Sequence, residues 1–305
     1  MTDWNFDRDA IRAFRFVRCE LDAGSGVATL AYAFDDGPEL VETITIPGAP
    51  FPLDGERAAA ATAALRLLHL VAGVSYYKAA VPGEIRIDGY AIDQATADLL
   101  QAVYRNGLGE FAYRNGIDLD DRIRFPVDGT DALAVVPAAS ASGPLSGTGS
   151  ALVAIGGGKD SLVSIEALRA AGTAQTVTWI GGSQLIAACA ARTGLPTLNI
   201  GRQLAPQLFD FNRQGAWNGH IPVTAVNSAI LVLAAVLRGD AQVVFSNERS
   251  ASYGSIITLA DGSGTGEVNH QWSKGWEFER RFGEHVARHV APGVHYYSLL
   301  RPLSE

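Results

Sequence analysis

Residues Ala151 to Ser161 read Ala-Leu-Val-Ala-Ile-Gly-Gly-Gly-Lys-Asp-Ser, and this stretch decides the fold. The apolar run Ala151 to Ile155 predicts a short buried strand. Gly156, Gly157 and Gly158 form a turn, and Asp160 opens a helix running to Ala171. Glycine allows backbone angles and close approaches that other residues avoid. A helix start offers free N–H groups and the positive end of the dipole. Lys159 adds a full charge and Ser161 a hydroxyl. The combination suits a pyrophosphate group.

Working outward, the same rhythm continues downstream. Strands are expected at Thr176–Ile180, Thr197–Ile200 and Gln242–Ser246, with helices at Ser183–Thr193 and Pro222–Leu237. Continuous apolar strands alternating with helices predict a parallel sheet covered on both faces. Ligands bind beyond the carboxyl ends of such strands. The loops after Ile155, Ile180, Ile200 and Ser246 are therefore expected to share one rim.

Upstream the pattern is α+β. Strands at Phe14–Cys19, Val27–Phe34 and Glu42–Ile46 are separated by turn residues and predict an antiparallel meander. A helix rich in alanine and leucine is expected from Leu53 to Leu70, with short strands at Val74–Lys78 and Glu84–Ile87. Gln94–Tyr104 reads as a helix that Gly107–Asn115 continues after a break. Residues Pro137 to Ser150 are small and turn-forming, which marks a linker. The chain reads as α/β: an α+β N-terminal domain over residues 1–136, a linker over 137–150, and a parallel-sheet domain over 151–305.

Composition narrows the function. The 305 residues are 48% hydrophobic and 18% charged, enough for a large core. The 24 basic side chains against 32 acidic ones give a net charge of −8, and Arg280-Arg281 is the densest basic pair. That argues against a nucleic-acid partner. Cys19 and Cys189 lie far apart without CxxC spacing, so neither a zinc site nor a disulfide framework is expected. Met1-Thr2-Asp3-Trp4 has no basic start and no apolar segment, so no signal peptide is expected. No apolar run reaches the ~20 residues of a membrane span; Ala225 to Leu237 is the longest. A cytoplasmic location is the expectation.

Three phosphate-loop types compete for Gly156–Ser161. A Walker A loop places Ser or Thr directly after its lysine, where Asp160 stands, and its first glycine is missing here. A dinucleotide fingerprint places its third glycine where Ser161 stands. The pattern instead resembles the PP-loop, S-G-G-x-D-S, of ATP pyrophosphatases, with Gly156 where those proteins have serine. That resemblance implies that Asp160 helps hold Mg²⁺, while Ser161 and the loop amides hold the phosphates of ATP.

The order of this loop, Trp179-Ile180-Gly181-Gly182, Asn218 to Thr224, and Ser246 to Ala251 is similar to the ATP-dependent UDP-N-acetyl-α-D-muramoyl-L-alanyl-L-glutamate epimerases of peptidoglycan synthesis. The likeness extends to Phe14-Arg15-Phe16 and Ser75 to Lys78 in the first half. It implies a UDP-muramoyl dipeptide substrate whose terminal L-Glu becomes D-Glu, with ATP going to AMP and pyrophosphate. It also implies a longer protein with a cysteine-rich segment downstream, and Leu303-Ser304-Glu305 looks like a helix start. The chemistry is coherent: adenylation neutralises the glutamate α-carboxylate, which makes the α-proton far more acidic.

Inversion needs an acid and a base. His220 follows Trp217-Asn218-Gly219 at a helix entrance on the rim, where it acts as a base or simply bonds the backbone. His270 lies in the polar-aromatic cluster Asn269 to Ser273. Glu248, in the polar run Ser246 to Ser250, is a base or a magnesium ligand; Arg249 beside it suits pyrophosphate or a carboxylate. Asn247 and the loop residues Gly156, Gly157, Gly158, Lys159, Asp160 and Ser161 complete the ATP site, with Trp179 against the adenine or in the core. Tyr77 and Lys78 are weaker candidates for the UDP or muramoyl part. His69, His285, His289 and His295 read as ordinary residues. Rival functions are an amide-forming synthetase, for which no nucleophilic cysteine is evident, a nucleic-acid-modifying enzyme, and an ATP sensor that releases no pyrophosphate.

Overall fold

The computed structural model describes residues 4–127, 149–253, 255–258, 265–269 and 271–304. The chain opens with β1 (Ala13–Asp22), β2 (Val27–Phe34) and β3 (Leu40–Thr45), an antiparallel meander as the turn spacing predicts. Then come α1 (Gly55–Ala72), α2 (Val74–Tyr77), β4 (Glu84–Ile87), α3 (Gln94–Gly107) and α4 (Gly109–Asn115). The second half runs β5 (Ala151–Ala154), α5 (Lys159–Ala170), β6 (Gln175–Ile180), α6 (Gln184–Arg192), β7 (Thr197–Gln203), α7 (Gln207–Arg213), α8 (Val223–Arg238) and β8 (Gln242–Phe245). It continues through β9 (Ser255–Thr258), β10 (Thr265–Val268), α9 (Trp276–His285) and β11 (His295–Ser298).

Nine strands form one mixed sheet in the order β11-β8-β5-β6-β7-β3-β2-β1-β4. The five strands from β11 to β7 are parallel, as expected for β5, β6, β7 and β8; β11 is not among the strands expected from the sequence. The meander joins them through antiparallel β3–β7 pairing, Thr43 opposite Gln203 and Thr45 opposite Gly201. At this seam Arg202 Nε donates to Glu42 Oε1 at 2.7 Å, with the Glu42 side chain fully buried. Most of the expected 137–150 linker lies outside the described residues.

One face carries the main core, where α1 and α8 pack against each other and against aromatics from the meander. The other face carries a smaller core under α5 and α6, built on Val153, Ile155, Val177 and Trp179. Helix α1 runs on into α2, and Gly55–Tyr77 is long and apolar enough to cross a membrane by composition alone; 78% of that window is buried within the fold. It is a core helix, kept apolar by the layers on either side.

Residues Val74 to Lys78, expected as a strand, are helical. The backbone continues from α1: Gly73 N donates to His69 O, and Tyr77 N to Gly73 O. Tyr76 stacks on Tyr32 at 4.6 Å and Tyr77 meets Tyr104 edge-on at 5.5 Å. Tertiary packing of the rings overrides the strand propensity of a β-branched and aromatic run. The helix start expected at Leu303 is instead irregular chain.

Candidate active site

The parallel strands are wound in two directions. From β5 the chain steps outward to β6 and β7, then crosses to β8 and β11 on the other side of β5. The strand order therefore reverses between β5 and β8, the place where α/β sheets open a crevice. A cleft of about 330 Å³ opens there. Gly156, Gly158, Asp160 and Ser161 line it from the β5–α5 turn, Ser246 and Asn247 from the loop after β8, Thr224 and Asn227 from the start of α8, and Lys274 from across. A contiguous recess shares Asp160, Ser246, Asn247 and Lys274 and adds Glu248, Ser250 and Gln271.

Two helices, α5 and α8, thus aim their N-termini at one cleft. Neither N-terminus has a side-chain cap; at α8 the N–H groups of Val223, Ala225 and Val226 donate to the carbonyls of Ile221 and Pro222. Gly157 sits at φ +80, in the left-handed region where glycine is at ease, and this turn brings α5 in behind the strand. A Cβ placed at Gly156 or Gly158 would meet nothing within 4 Å, which leaves the backbone bare toward the cleft. Ser161 is buried, and its hydroxyl donates to Gly158 O at 2.9 Å. Ser246 Oγ donates to Ser164 Oγ at 2.7 Å, and Asn247 Nδ2 to Ser298 Oγ at 3.0 Å, fixing the facing wall. Such a cleft can hold a polyanion, with Asp160 and Glu248 as carboxylates for a hard cation.

Arg301 organises that wall. Its guanidinium, 11% exposed, pairs with Glu279 Oε2 at 2.6 Å and donates to the carbonyls of Lys274 at 2.7 Å and Glu248 at 2.8 Å. One side chain thereby ties together the segments that bear the cleft's lysine and its second carboxylate.

The structure brings together Gly156, Gly158, Asp160, Ser161, Asn247 and Glu248 as the spacing suggests. It does not bring Trp179 to the cleft. That ring is 9% exposed and packs in the core under α5 and α6, because alternation along β6 points it inward. Arg249 faces away, donating from Nη2 to Ser304 Oγ and from its backbone N to Leu303 O. Lys159 is exposed on α5 and Gly157 lies at the turn; neither lines the cleft. His220 is exposed on the loop four residues before Thr224 and stands outside the cleft lining. His270 lies outside the described residues. Tyr77 is buried, its hydroxyl on the carbonyls of Pro82 and Arg122. Lys78 is also buried, with Nζ on Asn218 Oδ1 at 2.8 Å, and burial lowers its pKa. It secures the loop that carries His220.

Sequence reasoning missed Lys274, Asn227 and Arg301. One signal existed for the first: the chain has only three lysines, Lys78, Lys159 and Lys274, among 24 basic residues. In a chain that uses arginine for its ordinary surface, each lysine invites a specific explanation. Among the described residues no cluster of three His, Cys, Asp or Glu side chains is arranged to hold a metal by itself. A cation here would need the ligand's own oxygens as well.

The fold and site define an α/β protein with a polar cleft at a topological switch point. A family model described as the MurL N-terminal domain matches residues 5–299, and the chain belongs to that family. It is 69% identical, over 98% of its length, to a protein of Xanthomonas oryzae pv. oryzae (strain MAFF 311018) named UDP-N-acetyl-alpha-D-muramoyl-L-alanyl-L-glutamate epimerase. Proteins of the same name from Salinispora tropica and a Micromonospora species are 41% identical over 96% of the chain. The chain spans 64%, 62% and 64% of these relatives' lengths. No solved structure matches.

Proposed function

We propose that this chain is the ATP-using part of an epimerase that inverts the terminal L-glutamate of UDP-N-acetyl-α-D-muramoyl-L-alanyl-L-glutamate. The observation that carries the reading is the convergence of two uncapped helix starts, a bare glycine turn, Lys274, Asp160 and Glu248 on one cleft. The relatives' printed names supply the substrate.

In this reading Gly156–Ser161 is a PP-loop. Its backbone amides hold the phosphates of ATP, a co-substrate, with Thr224 and Asn227 of α8 beside them and Lys274 opposite. Asp160 holds Mg²⁺, which fits the usual ligation of that ion by one or two carboxylates plus phosphate oxygens. When bound, Mg²⁺ would offset charge on the pyrophosphate leaving group. The glutamate α-carboxylate attacks the α-phosphorus, the bond from that phosphorus to the bridging oxygen breaks, and pyrophosphate leaves with the electron pair. The resulting acyl adenylate has lost the carboxylate charge, so a base can take the α-proton and the enolate oxygen can be held by oriented donors. Return of a proton to the opposite face inverts the centre. Water then releases AMP and restores the carboxylate.

We assign Glu248 as the first base to test, because it lines the recess contiguous with the cleft, whereas His220 lines neither. The N-terminal half forms the UDP-sugar side. The test is incubation with ATP, Mg²⁺ and the L,L-dipeptide nucleotide in deuterated water. Deuterium at the glutamate α-carbon together with pyrophosphate supports epimerisation. Pyrophosphate without deuterium points to a different carboxylate activation, and absence of both to a nucleotide sensor.

A further inference from the structure

Most of the large apolar side chains that are strongly exposed among the described residues lie by the carboxyl ends of the parallel strands. Leu162 and Val163 stand in the opening turns of α5, Leu185 at the second position of α6 and Trp276 at the first of α9. The starts of α7 and α8 carry one each, and Tyr253 and Leu303 follow β8 and β11. Helices α5, α6 and α7 begin just beyond the parallel strands β5, β6 and β7, Thr224 at the start of α8 lines the cleft, Trp276 N donates to Ser252 Oγ, and Leu303 O accepts from Arg249 N beside Glu248. The residues therefore surround the carboxyl rim of the sheet, with the polar cleft in their midst.

These exposures are large. Leu185 is 70% exposed, Tyr253 72% and Trp276 52%. Helix α6, Gln-Leu-Ile-Ala-Ala-Cys-Ala-Ala-Arg, is apolar at seven of its nine positions yet buries only Ala190. Scattered exposed apolar residues are ordinary, but a concentration of them on one face marks a surface meant to be covered.

The relatives indicate what covers it. The matched family is described as an N-terminal domain, and over a third of each relative's length lies outside the match. We propose that the rim is the seat of that remaining third of the full-length protein, which docks through an apolar perimeter and closes over the polar cleft. The apolar perimeter supplies adhesion, and the enclosed Asp160, Glu248 and Lys274 then work in a water-poor space where charges act more strongly. The docking stands on exposure and length alone, so it can hold or fail whatever the cleft binds.

Hydrogen–deuterium exchange tests it, comparing this chain with the full-length Xanthomonas relative through protection factors that remove sequence effects. Segments aligned with the opening turns of α5, α6 and α9 should exchange at least tenfold more slowly in the full-length protein. Strand β4, at the far edge of the sheet, should be unchanged. Equal protection at the rim in both proteins, or new protection at β4 instead, overturns the proposal. Sedimentation of this chain alone covers the other occupant. A dimer that Leu185→Lys converts to monomer would assign the ring to a second copy and overturn it as well.

Discussion

Lys274 and Asp160 face each other's neighbourhood across one cleft, and their roles separate by charge. Lys274→Gln removes a cation from a site for polyphosphate. ATP binding should weaken about tenfold, equivalent to ~1.4 kcal/mol, as measured by titration calorimetry; unchanged affinity would remove Lys274 from the site. Asp160→Ala should abolish pyrophosphate release, and retained turnover would sink the loop assignment. The buried histidines make a different prediction. Burial lowers the pKa of His69 from 6.5 to about 4, and burial together with His289 does the same for His285. The unfolded chain therefore takes up protons between about pH 6.5 and pH 4 while the folded chain does not. The stability these groups contribute is complete above pH 6.5 and is lost as pH falls through that window. Urea unfolding across pH 4 to 7 should show this slope, and His69→Asn should flatten it by up to ~1.4 kcal/mol per pH unit. A slope unaltered by the substitution would contradict the assignment.

At the scale of elements, the second half was the more legible part. The glycine turn and its strand and helix fall within a residue or two of their expected bounds, because continuous apolar runs and helical stretches alternate cleanly there. The run Val74 to Tyr77 was misleading because its helical form depends on aromatic partners in β2 and α3 that local sequence does not reveal. Helix α9 carried a readable signal in its spaced pairs, Arg281 with Glu277 and Arg280 with Glu284. Arg301 carried none, since its worth lies in reaching two carbonyls from a distant turn. Arg301→Met should raise the KM for ATP more than it lowers kcat, with partial rescue by Arg301→Lys; steady-state kinetics would show the split, and a pure loss of folded protein would contradict a positioning role. At the α1–α2 junction, a Cβ at Gly73 would lie 2.4 Å from Phe16 Cε1. Gly73→Ala should cost about 1–3 kcal/mol by overpacking, read by denaturant titration.

Across the whole molecule, one sheet carries both halves, and its seam rests on β3–β7 pairing and the Arg202–Glu42 ion pair. Sequence patterning showed the meander and the parallel strands separately. It did not show the seam, which joins residues 160 positions apart. Glu42→Ala leaves Arg202 buried without its partner and should destabilise the fold by about 3–5 kcal/mol. The seam matters for function because it fixes the first half beside the rim, where the proposed substrate's sugar nucleotide would lie. The candidate site was legible at Gly156, Gly158, Asp160, Ser161, Asn247 and Glu248, all near strand ends. Trp179 was not, because the side to which a β6 residue points depends on its register in the sheet.

The cleft at the β5–β8 switch point is proposed to cleave ATP between its α- and β-phosphates to activate a carboxylate. The most direct measurement is the identity of the nucleotide and phosphate products formed with the muramoyl dipeptide substrate, for the wild-type protein and for Asp160→Ala. The account predicts AMP and pyrophosphate from the first and neither from the second. ADP and orthophosphate from the wild type, or AMP and pyrophosphate undiminished in the variant, would contradict it.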